Sequence, residues 1–271
     1  GALVSPTAGR LSDGHRRKAL LLGLLALALI GSVIAALAPS FGVLLIGRVL
    51  QGFAYGIVPV TIALARAHLP RERKAAAVAT LATTVSMGLG IGYPLTGLAV
   101  GAFGLHAAFW VAVGFILSAM VVVTVSIPRD GEAGERRPFD LRGAILLGAA
   151  LASLVLAIAE APVWGWTAWP TVGLFALGVV LTIGWLRSAR RPALPFVDVA
   201  SLRIPAVLVS HLSGFVLAAT VYLAMSTASL VAQAPASTGY GQAIPVLWAG
   251  LVILPLSIGS FAAGRVVAPM L

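Results

Sequence analysis

The sequence predicts an all-α fold, a polytopic bundle of membrane-spanning helices. Three observations carry that expectation. Of the 271 residues, 60% are hydrophobic and only 10% charged, against about 25% charged in a soluble domain. Apolar runs long enough to supply the roughly 20 residues of a helical span recur along the chain. Strand-type alternation is absent from these runs, and backbone in lipid must satisfy its own hydrogen bonds, which a helix does within one segment.

Nine apolar segments follow in order, separated by loops that hold the charge. Residues 1–10 read as the last part of a helix and close on Arg10. Segment 19–37 opens after Arg16, Arg17 and Lys18. Segment 41–67 leads into Arg66, Arg71, Arg73 and Lys74, after which 75–101 begins. Segment 105–127 runs up to Arg129. Segment 141–160 ends at Glu160 beside "WGW", and 169–186 ends at Arg187. Segments 204–231 and 243–267 complete the series. Trp164, Trp166 and Trp169 around "WGW" read as an interfacial aromatic belt.

The charge pattern sets an orientation. Taking every second loop collects Arg10 to Lys18, then Arg66 to Lys74, then Arg129, Arg136, Arg137 and Arg142. Next come Arg187, Arg190, Arg191 and Arg203, and finally Arg265. That is 17 of the 18 Lys and Arg residues on one face; the other, Arg48, lies within a segment. By the positive-inside bias the charged face is cytoplasmic, and both chain ends with it. A net charge of +10 in a soluble protein would suggest nucleic acid. Here the cations flank apolar spans, so the expected partner is the lipid bilayer and not nucleic acid. Cysteine is absent, which removes any disulfide framework or thiolate metal site. The chain opens apolar at Gly1 without a signal-peptide layout and reads as a piece of something longer.

An internal echo suggests repeated halves. "SPTAGRL" at 5–11 and "SFAAGRV" at 260–266 share Ser, Ala, Gly and Arg in register, as in transporters built from related membrane halves. The expected division is 1–128 as most of a first helical half, 129–203 as a linker with two extra membrane helices, and 204–271 as the start of a second half.

Three motifs carry a family resemblance. "GRLSDGHRRK" supplies Gly9, Leu11, Asp13, Arg17 and Lys18, a Gly-x-Leu-x-Asp core with basic residues after it. "RVLQG" supplies Arg48 and Gln51. "GLGIGYPLTG" at 88–97 supplies Gly88, Gly92, Tyr93, Pro94 and Gly97. In that order and spacing the chain resembles the major facilitator superfamily, and within it the fourteen-helix drug:proton antiporter branch, from the second helix to the tenth. Gly14 stands where the first pattern prefers arginine, Arg16 where it prefers glycine, and Tyr93 interrupts the usual Gly-Pro pair. The resemblance implies the major facilitator fold, truncated at both ends, in a bacterial plasma membrane. It also implies efflux of small amphipathic compounds or drugs by proton antiport with alternating access.

The resemblance and the residues together suggest roles. Gly9, Asp13, Arg17 and Lys18 form a conformational latch on the cytoplasmic side, with the Asp13 carboxylate facing a helix N-terminus; the bland reading is a solvated loop. An arginine within a span costs roughly 2.5–3.5 kcal/mol and normally faces a bundle interior or water cavity. Arg48 therefore reads as a pathway residue, with Gln51, Tyr55 and Pro59 following at helical spacing; the alternative is an arginine that snorkels to the interface. Gly88, Gly92 and Gly97 allow close helix approach, and Pro94 bends their helix. Tyr93 lines a cavity or simply packs. His211, with Tyr222, Ser226, Ser229 and Gln233 along its helix, carries protons or bonds a neighbouring helix.

No Asp or Glu lies mid-span, so proton coupling rests on the resemblance alone. No cofactor or metal is expected, and no phosphate loop, metal-ligand spacing or nucleophile–base pair points to an enzyme. The competing readings are an uptake carrier for a nutrient or metabolite, and a non-transporting membrane fragment.

Overall fold

Apolar runs bounded by charge, proline or glycine become helices in the computed structural model, which describes residues 3–12, 16–128, 140–189, 201, 203–255, 258–259 and 262. The helices are α1 (Val4–Leu11), α2 (Arg17–Ala36), α3 (Phe41–Gln51), α4 (Ile57–His68) and α5 (Arg71–Phe103). After them come α6 (Leu105–Ser126), α7 (Leu141–Trp164), α8 (Trp169–Ser188), α9 (Pro205–Gln233) and α10 (Val246–Ala249). Among the described residues, seven spans are long and apolar enough to cross a membrane: α2, α3 with α4, and α5 to α9. The chain is an integral membrane protein with an all-α fold.

Where the helices depart from the expected segments, local chemistry gives the reason. The helix expected over 75–101 starts at Arg71, because Pro70 sets an extended entry and Arg, Glu and Lys are good helix formers beyond the apolar run. The segment expected from 243 turns helical only at Val246. Before it, Gln242, Ala243 and Ile244 donate backbone N–H groups back to Val231, Ala234 and Ala232 at the end of α9. The span 41–67 is one span by length but is broken by a 3-10 turn over Gly52–Gly56. Pro59 explains the break: it has no N–H for the carbonyl four residues back, and its ring crowds that carbonyl. Tight mid-helix turns of this kind mark hinges. Gly104, at φ +84, makes the turn from α5 into α6, a backbone region that favours glycine.

Packing builds one cluster around α2. Leu21, Leu24 and Leu25 of α2, Ala8 of α1, and Val60 and Leu64 of α4 form a buried core, with Ile116, Met120 and Val123 of α6 against it. Helix α6 runs antiparallel to α2 and is tied to it at both ends. Lys18 Nζ donates to the Thr124 carbonyl at 2.8 Å and also to the Ile127 carbonyl, placing a cation on the carbonyl end of α6, where the helix dipole favours it. At the other end His106 Nε2 lies 3.2 Å from the Ala38 carbonyl.

Helices α2 and α3 cross almost backbone to backbone. A Cβ on Gly31 would lie 2.6 Å from the Gly47 carbonyl oxygen, and one on Gly47 2.7 Å from the Gly31 oxygen. Helices α7 and α8 form a second tight hairpin along Ala150, Ser153, Ala157 and Ala161 of α7, with Gly178 of α8 pressed on Leu154. Asp140 caps α7, its Oδ1 accepting from the Gly143 N–H at 2.8 Å.

Candidate functional site

Polar groups inside an apolar span need partners, because lipid supplies none. On α3 they find them in a chain. Arg48 Nη1 donates to Gln51 Oε1 at 3.0 Å, Gln51 Nε2 donates to Ser32 Oγ at 2.9 Å, and Ser32 Oγ donates to the Ala28 carbonyl at 2.8 Å. Arg48 is the eighth residue of its span, about 10 Å along the axis from Phe41 at 1.5 Å per residue. Helical side chains normally lean toward the N-terminus, which would carry the guanidinium to the near end of the span. Gln51, one turn further into the span, leans back the same way and meets it. Arg48 and Tyr55 are exposed and Gln51 half-buried, so the polar stripe lies open along the span.

A second group of the expected residues meets at a cavity. Tyr93 of α5 and Tyr222, Met225, Ser226, Ser229 and Gln233 of α9 line a space of about 690 Å³, with Thr238 and Tyr240 also in its wall. The spacing 222, 226, 229, 233 puts these α9 residues on one face. The volume falls in the range of about 300–1,000 Å³ usual for small-molecule sites. The lining mixes hydroxyl, amide, thioether, aromatic and aliphatic groups, with no charged side chain in it. Gln233 is oriented by Ser229, whose Oγ it meets at 2.9 Å.

The Pro94 turn of α5, beside this cavity, is a contact point. Pro94 is buried and leaves a helix carbonyl without its donor. Thr96 Oγ1 donates to the Gly92 carbonyl at 2.6 Å one turn earlier. Against Tyr93 and Pro94 lies Gly250, where a Cβ would sit 2.6 Å from the Tyr93 oxygen. The small residue of this approach is therefore Gly250. Among the described residues a Cβ on Gly88 or Gly92 would meet nothing within 4 Å, while Gly97 lines a smaller neighbouring space of about 270 Å³.

At the charged end, Gly9, Ser12 and Arg17 share a cavity of about 440 Å³ with Pro59, Ile62 and Arg66. Arg17 Nε donates to the Ser12 carbonyl at 2.7 Å, and Lys18 turns to α6. Asp13, residues 129–139, 190–200 and 202 of the linker, and the second copy of the sequence echo lie outside the described residues, save Ala262 of that copy.

The structure therefore separates what the sequence listed together. Arg48, Gln51 and Tyr55 are not in the lining of the larger cavity, whereas Tyr93 and Tyr222 are. His211 is exposed, and its Nδ1 lies 2.8 Å from the Val207 carbonyl of its own helix; it neither meets a neighbouring helix through that atom nor lines the cavity. Ser32 and Gly250 were not anticipated. For Ser32 a signal existed, a lone hydroxyl beside a glycine in the apolar run "LALALIGSVIAA".

Comparison with known proteins decides the family. Residues 1–140 match the Major Facilitator Superfamily. The chain belongs to that superfamily. A triacylglyceride transporter of Mycolicibacterium hassiacum is 31% identical over 96% of this chain and 50% of its own length. Multidrug resistance protein Stp of Mycobacterium tuberculosis is 32% identical over 99% of this chain and 48% of its own. The tetracenomycin C resistance and export protein of Streptomyces glaucescens is 33% identical over 73% of this chain and 37% of its own. This superfamily chain spans about half the length, or less, of the curated relatives it matches.

Proposed function

We propose that the chain is part of a secondary transporter of a bacterial plasma membrane, which exports small amphipathic compounds by alternating access in exchange for protons. The observation that carries this reading is Arg48, placed inside an apolar span and bonded there to Gln51. A charge kept there against a cost of roughly 2.5–3.5 kcal/mol is a functional group by default. The names of the relatives point the same way, since two of them are resistance proteins.

In this reading Arg48, Gln51 and Tyr55 line the pathway, and the cavity of Tyr93 and Tyr222 holds the compound. Gly9, Asp13, Arg17 and Lys18 latch one conformational state on the cytoplasmic side. Residues 1–128 and 204–271 belong to two helical halves, with α7 and α8 as an inserted pair. The mutual packing of α7 and α8 supports the insertion, and Gly250 against Tyr93 and Pro94 of α5 supplies a contact between the halves. Rocking of one half on the other would be felt there.

A lipid cargo is the second reading. Triacylglyceride transporters match nearly the whole chain, and the larger cavity has no charged lining. Vesicles holding the full-length gene product, given an imposed pH gradient, separate the two. Saturable, gradient-driven flux of a fluorescent amphipathic cation is expected for drug export, and flux of a fluorescent acylglycerol in its place for lipid export. Flux of neither, or flux indifferent to the gradient, would overturn coupled export.

The orientation has its own test, since the chain has no cysteine of its own. Thr167→Cys, in the α7–α8 turn, is expected to react with an impermeant maleimide from outside. Glu72→Cys is expected to react only after the membrane is opened. Labelling of Glu72→Cys from outside would invert the assignment.

A further inference from the structure

Ser32 has 0% of its surface exposed, although its neighbours in α2 are almost all apolar. Its place is set by the crossing of α2 and α3, where Gly31 and Gly47 let the backbones touch. That contact brings the Ser32 hydroxyl within reach of the Gln51 amide at the end of α3.

The direction of every bond in this chain follows from one fact. A guanidinium can only donate, so Gln51 must present Oε1 to Arg48. Its Nε2 then points at Ser32, whose oxygen must accept, and the Ser32 proton goes to the Ala28 carbonyl. No other arrangement of donors satisfies all three bonds. We infer that Ser32 is a positioning residue, anchoring the Gln51 amide so that Gln51 holds the Arg48 guanidinium within the span. The functional importance of that position rests on the transport reading above; the anchoring itself does not.

Two variants cut the chain at different places. Ser32→Ala removes the acceptor and leaves the Gln51 amide free to turn. Gln51→Leu removes the amide at similar volume and leaves Ser32 bonded to Ala28, so nothing buried loses its partner. Peptide-resolved phenylglyoxal labelling of the full-length gene product in native membranes reads the freedom of Arg48 directly. Each variant is expected to label Arg48 faster by about three- to tenfold, the factor that loss of one ordinary hydrogen bond allows. Arg66 and Arg71, away from the chain, serve as controls and are expected not to change. The double variant is expected to label no faster than either single one, because both break the same linkage.

Unchanged Arg48 labelling in either variant would overturn the anchoring. So would additive effects, which mark Ser32 as a packing residue and nothing more. Transport measured on the same membranes separates the two claims. Faster labelling with slower transport supports both the anchoring and the pathway role of Arg48. Faster labelling with unchanged transport supports the anchoring and overturns the pathway role.

Discussion

Arg48→Ala is expected to abolish gradient-driven transport by the full-length gene product while expression and membrane insertion survive. The two halves of that expectation have different causes. Insertion improves, because deleting a charge from the span removes a cost of roughly 2.5–3.5 kcal/mol. Stability changes little, because the guanidinium is exposed and its bond partner Gln51 keeps the Ser32 hydroxyl. Transport fails because the positive charge set well inside the 41–67 segment is gone. A fall of roughly tenfold or more, equivalent to about 1.4 kcal/mol in a rate-limiting barrier, is the expected size. Arg48→Lys restores the charge but not the planar fork that meets a side-chain carbonyl, so it is expected to fall between the two. Transport at the normal rate by Arg48→Ala would reduce Arg48 to a residue that merely tolerates its span.

The helices of this fold were legible because their cause is local. Each apolar run from 19 to 231 became a spanning helix, since in lipid the backbone has no other partner than itself. The 3-10 break before Pro59 had a signal in the proline. What could not be read was which helix meets which. Gly88 and Gly92 mark a face that admits a neighbour, yet spacing names no neighbour, and it did not single out Gly250, just after α10, as the residue that meets Tyr93 and Pro94. Gly31 and Gly47 carry the closest crossing in the described chain's first half without any repeated motif to announce them. Tyr222, Ser226, Ser229 and Gln233 shared a face as their spacing required, and the cavity follows from that face. His211 belongs to the same helix but lies more than two turns away from Tyr222, and its bond goes to its own backbone. Partner choice is a tertiary property, and a hydroxyl such as Ser32 shows its role only once the opposite helix is in place.

That crossing makes the sharpest structural prediction. Gly31→Ala is expected to destabilise the chain by about 3 kcal/mol, the upper part of the range for overpacking. The added methyl would lie 2.6 Å from the Gly47 oxygen, 2.7 Å from the Gln51 nitrogen and 2.7 Å from Leu50 Cβ. None of these is the far end of a flexible side chain, so no rotamer change relieves the clash and the helices must part. Gly47→Ala meets the Gly31 oxygen at 2.7 Å and the Ala35 nitrogen at 2.8 Å, and the same result is expected. The controls lie on the same two helices. A Cβ at Gly23 of α2 or Gly42 of α3 meets nothing within 4 Å. There alanine gains helix propensity, up to about 1 kcal/mol over glycine in a helix interior, so these substitutions are expected to be neutral or stabilising. Thermal unfolding in detergent reads the contrast, with the midpoint of Gly31→Ala lower by roughly 5–10 °C and that of Gly23→Ala unchanged or higher. Parting the helices also carries Ser32 away from Gln51, so Gly31→Ala is expected to free Arg48 for labelling as Ser32→Ala does. A Gly31→Ala protein as stable as its Gly23→Ala counterpart would mean that α2 and α3 do not cross at these glycines, and the chain from Ala28 to Arg48 would lose its foundation.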